Sequence, residues 1–239
     1  MRVPAIISAD DADSGFPDVR LALRRPNGLL AVGGNLSARR LMDAYREGVF
    51  PWYSREEPIL WWCPDPRGVM VPERLHVSRS LRKTLRRGEL RVVADTAFRP
   101  TVKACATVRR EGHGTWIVPE MVDAYTRLHQ RGHAHSIEVW SGEALVGGLY
   151  GVAVGRIFCG ESMFSRVPDA SKVAFMALCR QLVRWGFPLI DTQLPSEHLG
   201  TLGGESMPRA QFIELVHRWR DVPGPAGPWT LDADLLEGA

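Results

Sequence analysis

The 239-residue sequence predicts an α+β fold in unequal parts, and three observations carry that expectation. The first 62 or so residues are rich in turns and hold one clear helix. Between residues 136 and 159 strand patterns follow one another closely, in the manner of an antiparallel meander, and after them come a helix, a strand and another helix. The expected division is a small N-terminal domain over residues 1–62, a larger domain over 63–221, and a loosely packed tail over 222–239, where Pro, Gly and acidic residues accumulate.

Each element has a local reason. Ser37 can cap a helix that reaches Glu47 and is closed by Gly48. Ser78 and Gly88 bracket a short second helix, in which Arg79, Arg82, Lys83 and Arg86 follow i, i+3, i+4, i+7 spacing on one face while Leu81 and Leu85 fall on the other. Leu90 to Ala94 reads as a strand and residues 98–107 as a helix. Pro119 opens a helix to about Gln130, with Met121, Val122, Tyr125 and Leu128 as its apolar stripe. Ser136–Trp140, Ala144–Val154 and Arg156–Cys159 read as strands, the first two joined by the turn Ser141-Gly142-Glu143. Asp169 is expected to cap a helix to Trp185, Leu189–Gln193 forms a strand, and Pro208 opens a last helix to about Trp219. Trp140, Trp185 and Trp219 are expected in the core. The pattern is compatible with an acyltransferase domain of the N-acetyltransferase type. Coenzyme A is disfavoured, because the long helix opens with Pro168-Asp169-Ala170-Ser171-Lys172 rather than a glycine-rich loop, and Asp169 would repel a pyrophosphate.

Composition excludes several classes. Hydrophobic residues make up 45% and charged residues 24%, ordinary values for a globular protein rather than a disordered or fibrous one. Met1 to Ile7 is followed by Asp10, Asp11 and Asp13, so no signal-peptide core is expected. A run of about 18 apolar residues, which a membrane-spanning helix would need, does not occur. Cys63, Cys105, Cys159 and Cys179 are far apart with no C-x-x-C, which predicts reduced thiols and a cytoplasmic protein. The net charge of +3 says little, but the cationic stripe at 79–86 is concentrated. Its like charges repel along the helix. It is either a solvated basic face or a surface that a phosphate backbone would neutralise. His133 and His135 lie two apart on a strand without a third ligand at a convincing spacing, so no metal is expected.

The runs "PNGLLAVGGNLS" (26–37), "GVFPWY" (48–53), "LWWCPDPRGV" (60–69), "LHVSRSLRK" (75–83), "GTWI" (114–117), "HAHSIEVW" (133–140), "LVGGLYGV" (145–152), "FCGESMFS" (158–165), "DASK" (169–172) and "LIDTQ" (189–193) strongly resemble leucyl/phenylalanyl-tRNA-protein transferases, over roughly residues 20–215. The resemblance implies a small N-terminal domain joined to an acetyltransferase-like (GNAT-like) domain. It further implies transfer of Leu, Phe and less readily Met from Leu-tRNA and Phe-tRNA to proteins beginning with Arg or Lys, in bacterial N-end-rule degradation. An aminoacyl-tRNA ester is already activated, so no cofactor is expected. One departure is Thr192, where the resemblance leads one to expect cysteine, so a thiol there is not the nucleophile.

Strand alternation puts residues 191 and 193 on one face, where carboxylate and amide would converge. By resemblance, Gln193 takes or orients the attacking amine through its carbonyl oxygen, and Asp191 polarises and holds Gln193. Without the resemblance the two read as ordinary strand-end groups capping backbone. Glu161, following Gly160, is the third catalytic candidate, binding the acceptor's ammonium or basic side chain, or else a surface salt-bridge partner. By positional resemblance Leu149, Phe158, Phe175, Leu178 and Ile190 line the aminoacyl pocket, although all five also read as plain core. Trp52 and Trp116 are the candidates to stack on the terminal adenosine. Arg79, Arg82, Lys83 and Arg86 are the candidates for tRNA phosphates.

Overall fold

The computed structural model describes residues 3–10, 15–110 and 116–236; Asp11, Asp13 and the Gly114-Thr115 half of one motif lie outside the described residues. The N-terminal part builds a four-stranded sheet in the order β1 (Ala5–Ile7), β2 (Leu29–Gly33), β4 (Leu60–Trp62), β3 (Phe50–Pro51), crossed by helix α1 (Ala38–Arg46). Ser37 caps α1 by accepting the Arg40 N–H, and Gly48, with φ of 69°, ends it as expected.

The remaining strands are β5 (Arg67–Met70), β6 (Arg91–Ala94), β7 (Ala134–Ser141), β8 (Ala144–Val154), β9 (Ile157–Ser165), β10 (Leu189–Gln193) and β11 (Glu205–Met207). They form one sheet in the order β11-β5-β10-β9-β8-β7-β6. The helices are α2 (Arg79–Arg86), α3 (Phe98–Arg110), α4 (Pro119–Gln130), α5 (Ala170–Arg184), α6 (Glu197–Gly200) and α7 (Arg209–Trp219). The chain is therefore α+β. β6 to β9 form the expected antiparallel meander, and β10 returns parallel to β9 after α5. The third meander strand runs on to Ser165, six residues beyond the expected Cys159. Gly160-Glu161-Ser162 has no strand pattern of its own, but β8 pairs with it from across the sheet. β5 and β11 are too short and too polar to announce themselves.

The sheet separates two core layers. One joins α3 and α4 to the N-terminal elements through Tyr45, Trp61, Tyr125 and Tyr150. The other gathers Leu149, Phe158 and Ile190 under Phe175 and Leu178 of α5. Strand alternation sorts them, so that Cys159 and Leu189 belong to the first layer and their neighbours Phe158 and Ile190 to the second.

Three expectations need correction. Asp169 stands at the N-cap position of α5 with φ of 64° and makes no side-chain cap. Its carboxylate instead accepts from Lys172 Nζ and from Thr84 Oγ1, both at 3.0 Å, tying α2 to α5. Trp185 and Trp219 are partly buried and pack against the core, Trp140 is partly buried outside it, and the most enclosed tryptophans are Trp61 and Trp229. Finally, the described part of the segment after residue 222 is pinned rather than loose. The Trp229 indole stacks on His135 with centroids 3.8 Å apart, and its backbone N–H donates to Asp95 at 2.6 Å. Leu235 is buried, and Arg184 pairs with Asp232 and Asp234. The apolar residues spaced through that Pro- and Gly-rich stretch are what anchor it. His135 bonds the same Asp95 through Nδ1 at 2.7 Å.

Replacing Trp229 with Ala empties a fully enclosed indole site, so denaturant unfolding should show a loss of about 3–5 kcal/mol. A loss below about 1 kcal/mol would mean that the segment is carried passively.

Candidate functional site

β10 pairs with β9 only from Leu189–Asp191 against Ile157–Cys159. Past that point both strands leave regular register. On β9, Gly151 of β8 faces Gly160 and Tyr150 faces Ser162, so Glu161 is an extra residue in the strand. On β10, pairing with β5 shifts between Asp191 and Gln193, and Gln193 takes a left-handed φ of 65°. Between them opens a cavity of about 470 Å³. A Cβ on Gly160 would meet nothing nearer than 3.7 Å, so the cavity runs up to its backbone. Gly151 is required, since a Cβ there would lie 2.3 Å from the Cys159 carbonyl oxygen.

The two bulges aim Glu161 and Gln193 at each other. Gln193 Nε2 donates to Glu161 Oε1 at 2.7 Å. Tyr45 of α1 donates to the same oxygen at 2.7 Å, Tyr125 of α4 donates to Oε2 at 2.8 Å, and the two hydroxyls are 2.6 Å apart. Burial pushes the Glu161 carboxyl up to about 7, against the lowering effect of the tyrosine hydrogen bonds and with a further upward push from the nearby Asp191 charge. Burial, and then the Glu161 charge, push the Tyr45 and Tyr125 hydroxyls well above the usual phenol range, so both remain donors.

Asp191 lies elsewhere than expected. It does not line the cavity. Its two oxygens accept Arg67 Nε at 2.7 Å and Arg67 Nη2 at 2.6 Å, and both side chains are essentially inaccessible. The Arg67 guanidinium sits against the rings of Phe50 and Phe212, 4.8 and 4.5 Å from their centroids. Asp191 reaches Gln193 through that residue's backbone N–H, 2.9 Å from Oδ1. Carboxylate and amide therefore do not converge on one face, because the bulge and the left-handed Gln193 break the strand alternation that would have aligned them.

The apolar positions do come together. Leu149, Phe158, Phe175, Leu178 and Ile190 all line the cavity, with Trp52, Trp116, Glu161 and Gln193 on the same wall system. Trp52 is 42% exposed, with its carbonyl held by Trp62 Nε1 at 2.7 Å. Thr192 also lines the cavity, and the adjacent Cys159 is enclosed, with its thiol pushed well up by burial. The four cations of the stripe are exposed on α2, which packs through Leu81, and none of them lines the cavity. Sequence reasoning missed three residues: Tyr45, Tyr125 and Arg67. The available signal was a hydroxyl on the apolar stripe of α4, since a buried phenol needs a partner.

The raised carboxyl has a consequence for stability. Between the ordinary glutamate pKa of about 4.3 and about 7, the folded state holds a proton that the unfolded state has lost, so Glu161 costs stability as pH rises through that window. Glu161→Gln removes the dependence. Relative to wild type, the variant should gain about 3 kcal/mol between pH 4.5 and pH 8 in chemical unfolding; parallel curves for the two proteins would show that Glu161 ionises normally.

Two family models match the chain. That described as leucyl/phenylalanyl-tRNA protein transferase covers residues 69–217, and that of the transferase's N-terminal domain covers residues 34–65. The chain is 58% identical over 219 residues to a leucyl/phenylalanyl-tRNA–protein transferase of Anaeromyxobacter sp. (strain Fw109-5), covering 91% of this chain and 92% of the relative. It is 51% identical over 226 residues to that of Nitrosospira multiformis, covering 95% and 97%. Among solved structures, L-PGS from Bacillus licheniformis superposes with a TM-score of 0.39 at 12% identity, over 64% of this chain and 48% of that one. Matched along most of its length at more than half identity, the chain belongs to the leucyl/phenylalanyl-tRNA–protein transferase family.

Proposed function

We propose that this chain transfers Leu or Phe, and less readily Met, from aminoacyl-tRNA to the N-terminal α-amino group of proteins beginning with Arg or Lys, marking them for N-end-rule degradation in the cytoplasm. The observation that carries the reading is a single cavity with an apolar floor of five side chains and a polar cap made by Glu161 and Gln193. Its volume of about 470 Å³ falls within the range of about 300–1,000 Å³ usual for small-molecule sites. In this reading residues 63–221 form an acetyltransferase-like catalytic unit, residues 1–62 a smaller unit that contributes Tyr45 and Trp52, and residues 222–239 a tail.

The donor's side chain occupies the floor formed by Leu149, Phe158, Phe175, Leu178 and Ile190. Differences of a methylene in such a pocket amount to about 1–3 kcal/mol, which suits an enzyme that accepts both Leu and Phe. Trp52 and Trp116 flank the terminal adenosine, and stacking on them contributes about 1–3 kcal/mol. The tRNA body lies along Arg79, Arg82, Lys83 and Arg86.

The acceptor amine has an ordinary pKa of about 7.7–8.0, so part of it is neutral at cytoplasmic pH. Gln193 gives its amide N–H to Glu161, which leaves its carbonyl oxygen to accept from the amine. Glu161, poised near neutrality, takes the proton. Asp191 acts one step back: it balances Arg67 and holds the Gln193 backbone, so it is a positioning residue in this reading. The amine attacks the ester carbon, the C–N bond forms, the C–O bond to the ribose breaks, and the ribose oxygen leaves with a proton. No nucleotide, metal or cofactor is called for.

The reading is tested with purified protein, labelled Leu-, Phe-, Met- and Ile-tRNA, and acceptors beginning with Arg, Lys or Ala. Label should pass from Leu- and Phe-tRNA to the Arg and Lys acceptors, with less from Met-tRNA. Absence of transfer, together with saturable acetyl-coenzyme A binding, would overturn it. Replacing Arg79, Arg82, Lys83 and Arg86 with Ala should weaken tRNA binding and reduce its salt slope by about 0.9 per lost phosphate contact. Transfer from a minimal aminoacyl-adenosine donor should be nearly unchanged; equal loss with both donors would assign the stripe to the fold or the acceptor.

A further inference from the structure

Tyr45 and Tyr125 come from different parts of the chain, α1 and α4, yet both hydroxyls end on one carboxylate. The three groups form a closed triangle: Tyr45 to Tyr125 at 2.6 Å, Tyr45 to Glu161 Oε1 at 2.7 Å, and Tyr125 to Glu161 Oε2 at 2.8 Å. Three oxygen-oxygen edges need three protons. With Glu161 ionised the hydroxyls supply two, and one edge is left without a hydrogen bond. With one proton added to Oε1, every edge is filled in a single direction round the ring: Glu161 donates to Tyr45, Tyr45 to Tyr125, and Tyr125 back to Oε2.

We infer that Tyr45 and Tyr125 are positioning residues for transfer, donors that keep Glu161 in its carboxylate form until it receives the proton of the attacking amine, which the ring then accommodates. The inference rests on the proposed role of Glu161. During the step, the amine nitrogen forms its bond to the ester carbon and its proton passes to Glu161, closing the ring. The C–O bond to the ribose then breaks, and Glu161 returns the proton to the departing oxygen. The ring ends as it began, and no further reactant is needed. Other titratable groups near Glu161 make contacts of their own: Asp191 on β10 is paired with Arg67 of β5, Cys159 of β9 is a buried thiol, and Tyr150 of β8 packs edge-on against Tyr125 at 5.4 Å. The tyrosines are thus the hydroxyl donors to this carboxylate, beside the Gln193 amide.

Their hydroxyls favour ionised Glu161, so losing either one raises its pKa. The test is kcat against pH, at saturating Leu-tRNA and Arg-initiated acceptor, for wild type, Tyr45→Phe, Tyr125→Phe and Glu161→Gln, with melting temperatures alongside. Each Phe variant should move the ascending limb up by about one pH unit, recover its rate at high pH, and keep the KM for Leu-tRNA. Because a Phe variant that folds poorly would blur this, 3-fluorotyrosine at the same positions provides the opposite perturbation: its stronger donor should move the limb down. A limb unmoved in folded Tyr variants but abolished in Glu161→Gln would overturn the ring while leaving Glu161 in its proposed role. A limb and rate retained in Glu161→Gln would overturn both.

Discussion

The Arg67–Asp191 ion pair is the constraint on which the site depends. Two opposite charges taken wholly out of water incur a desolvation cost that only close, bidentate geometry offsets. Removing one partner from such a pair generally costs about 3–5 kcal/mol, because the other charge is left buried. The pair gathers distant parts of the chain: Arg67 belongs to β5, Asp191 to β10, and the rings on the guanidinium to β3 and α7. Asp191 uses its remaining capacity on the Gln193 N–H. A left-handed backbone at a residue other than glycine costs about 1–3 kcal/mol and persists where its surroundings over-determine it. The bidentate pair beneath Gln193 supplies that determination, and the amide is thereby turned toward Glu161.

Glu161 illustrates the opposite electrostatic arrangement. Among the described residues no cation is paired with it; its partners are neutral donors, two phenols and an amide. Burial without a counter-charge raises its pKa, whereas Asp191 at the same depth is bridged by an arginine. One carboxylate therefore serves as a strut and the other is left able to exchange a proton near neutrality. The N-terminal part is integral to this contrast, since α1 supplies Tyr45 and helps to seal Glu161 from water.

Local signals in the sequence were sufficient for much of this. Pro119–Gln130, Ala144–Val154 and Leu189–Gln193 are found at the predicted residues, because a proline start, a turn dipeptide or an apolar run defines each one within a few positions. The five residues of the apolar floor were named by resemblance and share one cavity. The failures are long-range. The bulge at Asp191–Gln193 depends on an arginine 124 positions away, and nothing within the strand records it. Trp229 is held by Asp95, 134 positions earlier, so a composition rich in Pro and Gly was a poor guide to its packing. Tyr125 reads as part of an apolar stripe because a phenol packs like a hydrophobe until its hydroxyl finds a partner, and nothing local in the sequence marks Tyr45.

The two core layers also divide the work of the site. Leu149, Phe158, Phe175, Leu178 and Ile190 all belong to the layer under α5, and Tyr45, Tyr125 and Cys159 to the layer under α3 and α4. Glu161 and Gln193 meet across the gap where the sheet between these layers loses its pairing. The shape that would select a side chain is thus packed independently of the groups that would move a proton. The tail reinforces this separation, since Trp229 packs behind Phe158 with centroids 5.6 Å apart, on the side away from the tyrosines. Contacts on opposite sides of a sheet share few partners, and perturbations without shared partners add with little coupling. The floor and Glu161 still line one cavity, so resizing the floor acts on Glu161 through the burial that raises its carboxyl.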